Sequence, residues 1–231
     1  GYTIVKLATS HAINPSVYAK LPYDTLRDFA PISQTVSLTN VLVVHPSVPV
    51  KNVKELIAFA KARPNELFFS SSGLGSAQHL TVELFSQMTG LRMTHVPYKG
   101  TSPSVNDVIA GRIALTVASV ISTRPFFTTG RLRALAVVGP KRTPALPDYP
   151  TIAESGVPGF EGFSWVSMLA PASVPAAVTE RMSSELSAIV ADPSVIAELA
   201  KFGAEATTPS PNGMRKVIAE DTARWSTIIR D

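Results

Sequence analysis

Between residues 67 and 88 an apolar run, Leu67-Phe68-Phe69, breaks into Ser70-Ser71-Ser72-Gly73-Leu74-Gly75-Ser76. Helical spacing then begins, with Ala77, Leu80, Leu84 and Met88 three and four residues apart. Hydroxyls and glycines at the start of a helix can offer an anion backbone N–H groups, side-chain donors and the positive end of the helix dipole. The same residues also make an ordinary strand-to-helix turn, with Ser as the cap and Gly for tight geometry. A second copy of the device follows. Residues 93–98 read as a strand, Lys99-Gly100-Thr101-Ser102 as a polar loop, and Pro103 as the first residue of a helix that carries Val105, Val108 and Ile109 and stops at Gly111.

Other chemistries fit these residues less well. Ser70, Ser71, Ser72 and Ser76 with His79 and Asp107 invite a Ser/His-dependent hydrolase, but Ser72-Gly73-Leu74-Gly75-Ser76 is not the G-x-S-x-G of a nucleophile elbow. His79, one turn into the helix, is poorly placed to act as a base held by a third group. Gln78 stands where a dinucleotide fingerprint needs its third Gly or Ala, so no nucleotide cofactor is expected. His11, His45, His79 and His95 are scattered without metal-ligand spacing, and they read as satisfied or surface histidines. Asp107 suits a helix dipole and Lys99 a loop edge. Trp165 fits either a core or a cleft wall.

The elements that must position these residues alternate. Strands are expected over residues 2–8, 41–44, 113–117, 132–138 and 165–171 besides the two already described. A short helical piece around Asn14-Pro15 runs to Lys20 and gives way to a turn at Leu21-Pro22-Tyr23-Asp24. Asn52 with Glu55 forms a capping box for a helix whose apolar face is Val53, Leu56, Ile57 and Ala60. Residues 139–162, rich in Pro and Gly, are expected to be irregular. Three helices close the chain, the middle one capped by Asp192-Pro193 and ending at Gly203. This alternation predicts an α/β protein with parallel-dominated sheets flanked by helices.

Composition sets the outer limits. The 231 residues carry a net charge of +4, spread without a basic run, so no nucleic-acid surface is expected. Mild basicity suits a collector of small anions. The absence of cysteine excludes disulfides and thiol chemistry. No apolar run approaches the roughly 20 residues of a membrane span, and no charged-then-apolar signal segment opens the chain.

Several further segments, in their order, carry a resemblance. They are Gly1-Tyr2-Thr3 with His11-Ala12-Ile13-Asn14-Pro15, Asp28-Phe29-Ala30-Pro31, Val96-Pro97-Tyr98-Lys99-Gly100-Thr101, Arg133-Ala134-Leu135-Ala136-Val137, Arg142 to Ile152, and Glu154-Ser155-Gly156 through Phe160. The sequence resembles the Bug, or TctC-type, extracytoplasmic solute receptors of tripartite tricarboxylate transporters, with a type II periplasmic-binding-protein fold. That resemblance implies a periplasmic, non-catalytic receptor that captures a small organic mono- or dicarboxylate in an interdomain cleft. Delivery would be to a membrane transporter or sensor, and no cofactor or metal is implied. It implies a first domain of residues 1–42 and 166–231 and a second of residues 43–165. By carry-over, Ser71, Ser72, Gly73, Gly75 and Ser76 would donate to a ligand carboxylate, with His79 supporting the loop. Gly100 and Thr101 would face the ligand from the second helix start, and Ser10, His11 and Asn14 from the first domain. Ala118 and Ser119 would line the site without the acid some members carry there, which disfavours an ammonium-bearing ligand. Family members usually begin with a further strand, Gly-rich loop and helix that this sequence does not contain, so an open first-domain surface and self-association are also expected.

Overall fold

A computed structural model describes residues 3–162, 164–207 and 210–230. The chain opens with β1 (Val5–Ala8), α1 (Ser10–Val17), β2 (Phe29–Leu38) and β3 (Asn40–Val44). It continues through α2 (Val53–Lys61), β4 (Phe68–Ser71), α3 (Ala77–Thr89), β5 (Thr94–Pro97) and α4 (Thr101–Ile109). Then come β6 (Leu115–Ser119), the single turn α5 (Val120–Thr123), a 3-10 turn Arg124–Phe126 and β7 (Arg133–Val138). The last elements are β8 (Trp165–Pro171), α6 (Ala176–Ala191), α7 (Pro193–Lys201), β9 (Ala204–Ala206) and α8 (Pro211–Arg230). Tyr2, expected in the first strand, lies outside the described residues.

These elements divide into two units, one of residues 39–163 and one that joins residues 1–38 to 164–231. The continuous unit holds a five-stranded sheet in the order β5-β4-β6-β3-β7. β4 pairs in parallel with β5 and β6, while β3 runs antiparallel to β6 and β7. β3 is buried along its whole length, which explains its unbroken apolar run. Val41 and Val43 pack on Val105, Val108 and Ile109 of α4. The crossover from β4 to β5 moves one way along the sheet and that from β5 to β6 the other. Right-handed connections therefore place α3 and α4 on opposite faces.

α2 starts where the sequence puts it. Asn52 Oδ1 accepts from the Glu55 amide at 2.9 Å, and Glu55 Oε2 accepts from the Lys51 amide at 2.7 Å. Two helix-start donors are thereby satisfied. Residues 139–162 form turns with one isolated bridge, Val137 to Thr151.

The discontinuous unit has a four-stranded sheet in the order β1-β8-β2-β9, with every neighbouring pair antiparallel. Trp165 and Leu169 pack with Ala12, Met214 and Ile218 on one side. Ile32, Ala170 and Val174 pack with Met182 and Leu186 in a separate cluster. The α/β class is as expected, but the five-stranded sheet is mixed and the four-stranded one wholly antiparallel, so parallel pairs do not dominate. A helix between two strands permits a parallel pair but does not impose one. α2 joins β3 to β4, and the two strands nevertheless run in opposite directions, while β8 follows an irregular segment that sets no direction.

Candidate functional site

Because β4, β5 and β6 run in one direction, Ser71, Pro97 and Ser119 end on the same edge of the sheet. From that edge β4 feeds α3 on one face and β5 feeds α4 on the other. Adjacent strands whose loops diverge in this way leave a crevice at their carboxyl ends, the usual ligand position in open α/β sheets. Two helix starts border it, each with amides that lack a carbonyl one turn back.

Each loop is built by its own side chains. Ser76 caps α3, its Oγ accepting from the His79 amide at 3.2 Å. Gly73 holds φ at 144°, and an added Cβ would stand 3.3 Å from the Tyr98 carbonyl oxygen. Only glycine suits both the backbone angle and the close approach of the second loop. Backbone bonds join the two loops, the Tyr98 amide donating to the Ser71 carbonyl at 3.1 Å and the Gly100 amide to the Ser72 carbonyl at 3.0 Å. Gly100, at φ 119°, precedes the first turn of α4, which begins at Thr101. That is two residues earlier than the Pro103 start read from sequence. Proline is tolerated throughout the first turn, because an N–H there has no helical partner.

Histidines hold the first loop from behind. His79 Nδ1 accepts from the Gly75 amide at 3.3 Å, so its proton resides on Nε2, 3.5 Å from Glu83 Oε1. His95 stacks on His79 with ring centroids 3.8 Å apart, and Phe69 stacks on His95 at 4.9 Å. His95 Nε2 lies 2.7 Å from Ser71 Oγ, which also accepts from the Gly73 amide at 3.1 Å. Burial and the neighbouring His79 push the His95 pKa down to about 4. Sequence reading set His95 aside. Its signal was the parallel register that places His95 beside Phe69, which needs the pairing of β4 with β5 to be known.

Behind the second loop, Tyr98 donates to Asp107, which Arg112 also grips. Burial and the Asp107 contact push the Tyr98 hydroxyl up to about 12, while the Tyr98 and Arg112 contacts hold the Asp107 carboxyl below its ordinary value. Both groups are fixed in their neutral phenol and ionised carboxylate forms and brace the loop.

The structure thus gathers Ser71, Ser72, Gly73, Gly75, Ser76, His79, Gly100 and Thr101 at one edge of one sheet. Ser119 ends β6 on the same edge, where its hydroxyl lies 3.0 Å from that of Ser122. Ala118 is buried in the core cluster under α4. Ser71 is buried too, and its hydroxyl is engaged within the loop. In the other unit, His11 is a core ring, 4.9 Å from Phe29 and stacked on Tyr23 at 5.8 Å, with Nε2 3.2 Å from the Thr25 carbonyl. Burial pulls its pKa down. Asn14 Nδ2 donates to the Tyr23 hydroxyl at 2.8 Å, and Ser10 opens α1. Trp165 proves to be core, 3% exposed, with Nε1 donating to Asp221 at 2.6 Å. Among the described residues no cluster of His, Asp or Glu has the makings of a metal site.

Comparison with known proteins decides what this arrangement belongs to. The sequence matches the Tripartite tricarboxylate transporter family receptor over residues 1–231. The chain belongs to this family. It is 35% identical over 230 residues to a UPF0065 protein from the tcbD-tcbE intergenic region of Pseudomonas sp. strain P51, which covers 99% of this chain and 68% of the relative. Protein BugT of Bordetella pertussis is 31% identical over 233 residues, covering 100% of this chain and 72% of BugT. An R. palustris structure solved with adipate superposes with a TM-score of 0.95 at 38% identity, covering 100% of this chain and 77% of that one. As a TctC-type receptor, the chain has the periplasmic-binding-protein fold its sequence motifs imply, and no helix among its described residues is long and apolar enough to cross a membrane.

Proposed function

We propose that this TctC-type chain is a non-catalytic, periplasmic receptor that holds a small organic mono- or dicarboxylate against the loops before α3 and α4 for delivery to a membrane transporter or sensor. The observation that carries the reading is the divergence of the two adjacent strand-to-helix loops, which offer helix-start amides and the Thr101 hydroxyl on one sheet edge. The adipate held by the R. palustris relative supports a carboxylate as the anion. Residues 39–163 are proposed as the second domain and the remainder as the first, where His11 and Asn14 are engaged within their own segment. Ala118 offers no charge to a ligand ammonium, which favours a carboxylate without one.

A panel of mono- and dicarboxylates, adipate included, screened by thermal shift and calorimetry tests this reading. Ser76→Ala should weaken the best ligand about 10-fold or more, since a hydrogen bond to a charged group contributes ~1.5–3 kcal/mol. Absence of any carboxylate ligand, or unchanged affinity in Ser76→Ala and Ser72→Ala together, would sink it.

One contact favours a Ser/His hydrolase, the approach of Ser71 Oγ to His95 Nε2. Ser71 is buried, however, and its oxygen already accepts the Gly73 amide, while His95 is backed by a second imidazole instead of a carboxylate. Ester turnover that disappears in His95→Gln would revive the hydrolase.

A further inference from the structure

Gln78, in the first turn of α3, reaches both loops. Its Oε1 accepts the Ser72 hydroxyl, and its Nε2 donates to Thr101 Oγ1 at 3.3 Å. A hydroxyl has one hydrogen to give and two lone pairs to receive with. Ser72 gives its hydrogen to Gln78, so toward any other group it can only accept. Thr101 receives from Gln78 and keeps its hydrogen free. A carboxamide can impose both outcomes at once, because it carries an acceptor and a donor about 2.2 Å apart on one rigid plane. Glutamate at this position would accept from both hydroxyls, and leucine would constrain neither.

We infer that Gln78 is a positioning residue that sets the polarity of the two loop hydroxyls, holding Thr101 as a donor and Ser72 as an acceptor. The inference rests on the carboxylate-binding reading above. A bound carboxylate is received by Thr101 and the helix-start amides. Ser72 takes a hydrogen from elsewhere, supplied by a ligand hydroxyl or by water. The two hydroxyls are equal in composition and unequal in function, and only the residue between them makes the difference.

The ligand-free test is NMR on the full chain, following the Gln78 side-chain Nε2 protons. Thr101→Val should move them strongly, Thr101→Ser should leave them in place, and Ser72→Ala should move them less than Thr101→Val. Unmoved resonances in Thr101→Val, or a larger shift in Ser72→Ala, overturn the inference whether or not a ligand is in hand. The binding test uses adipate as the probe. Thr101→Val should weaken it about 10-fold, the scale of a lost charge-assisted bond, and Ser72→Ala less than about 3-fold. In a Gln78→Leu background, where Ser72 is released to donate, Ser72→Ala should cost about 10-fold, more than it does in native protein. An equal Ser72→Ala cost in both backgrounds, or Ser72→Ala costlier than Thr101→Val in native protein, overturns the polarity assignment. If Ser76→Ala still weakens binding about 10-fold in that event, the receptor reading survives; if adipate and every other carboxylate fail to bind while the NMR shifts appear as expected, the receptor reading falls and the hydroxyl bracing stands.

Discussion

The imidazoles of His79 and His95 stack 3.8 Å apart. His79 accepts from the Gly75 amide, and a charge on His95 would be offset only in part by the Glu83 carboxylate. Burial first, and His79 second, hold His95 at about 4 against an ordinary value of 6.5. The unfolded chain therefore binds a proton that the folded chain refuses as pH falls from 6.5 toward 4. Stability contributed by a neutral His95 is complete above the unfolded value and is lost on acidification through that window, by up to about 2 kcal/mol after solvent screening. Urea unfolding at pH 7.0 and pH 4.5 should show this loss in native protein and a smaller one in His95→Gln, whose amide can still bond Ser71. Equal losses would show that the ring titrates freely. Gly73 makes a second prediction at this scale. Its φ of 144° and the Tyr98 carbonyl 3.3 Å from an added Cβ mean that Gly73→Ala should cost about 1–3 kcal/mol and loosen the first loop, read as a lower Tm and faster amide exchange at Gly100.

Elements differ in how much of themselves the sequence displays. α2 is fully legible because its start, apolar face and stop are local: Asn52 and Glu55 close on each other at 2.7–2.9 Å. Asn52→Ala should remove about 1 kcal/mol of stability, seen as a lower urea midpoint at unchanged slope; an unchanged midpoint would mean that water caps the helix equally well. β8 likewise matches its apolar run from Trp165 to Pro171. β2, the longest strand, is invisible to period-2 reading. Pro31 lies inside it, two bulges interrupt its pairing with β8, and Ser33 and Gln34 are buried. Bulges accommodate proline and break the alternation on which the reading depends. The same limit applies to the site. The Ser/Gly loops and Gly100 are local signals and can be read directly, whereas His95 and Gln78 matter only through partners 24 and 23 residues away. Their roles depend on strand order and loop approach, which no local window contains.

At the scale of the molecule, the two units differ in how the chain builds them. Residues 39–163 form one uninterrupted stretch that includes every strand of the five-stranded sheet. Its central strands β4, β6 and β3 are each paired on both sides without borrowing from the other unit. Its largest buried side chains, among them Phe69, Phe85 and Phe160, belong to the same stretch, and Phe85 and Phe160 meet edge to face at 6.2 Å. The unit of residues 1–38 and 164–231, by contrast, must bring β1 against β8 across the whole intervening stretch of residues 39–163, pairing Val5 with Leu169. Closing so long a loop costs entropy before any contact repays it. A fragment of residues 39–163 should therefore fold alone, with dispersed amide resonances and a single urea transition whose slope lies in the usual range of about 1–3 kcal/mol/M. It should retain the Gln78 and Thr101 signals of the full chain, because both loops and both helix starts lie within it. A fragment that remains unfolded, or folds with those resonances displaced, would show that the loops take their geometry from the other unit and not from the sheet edge that carries them.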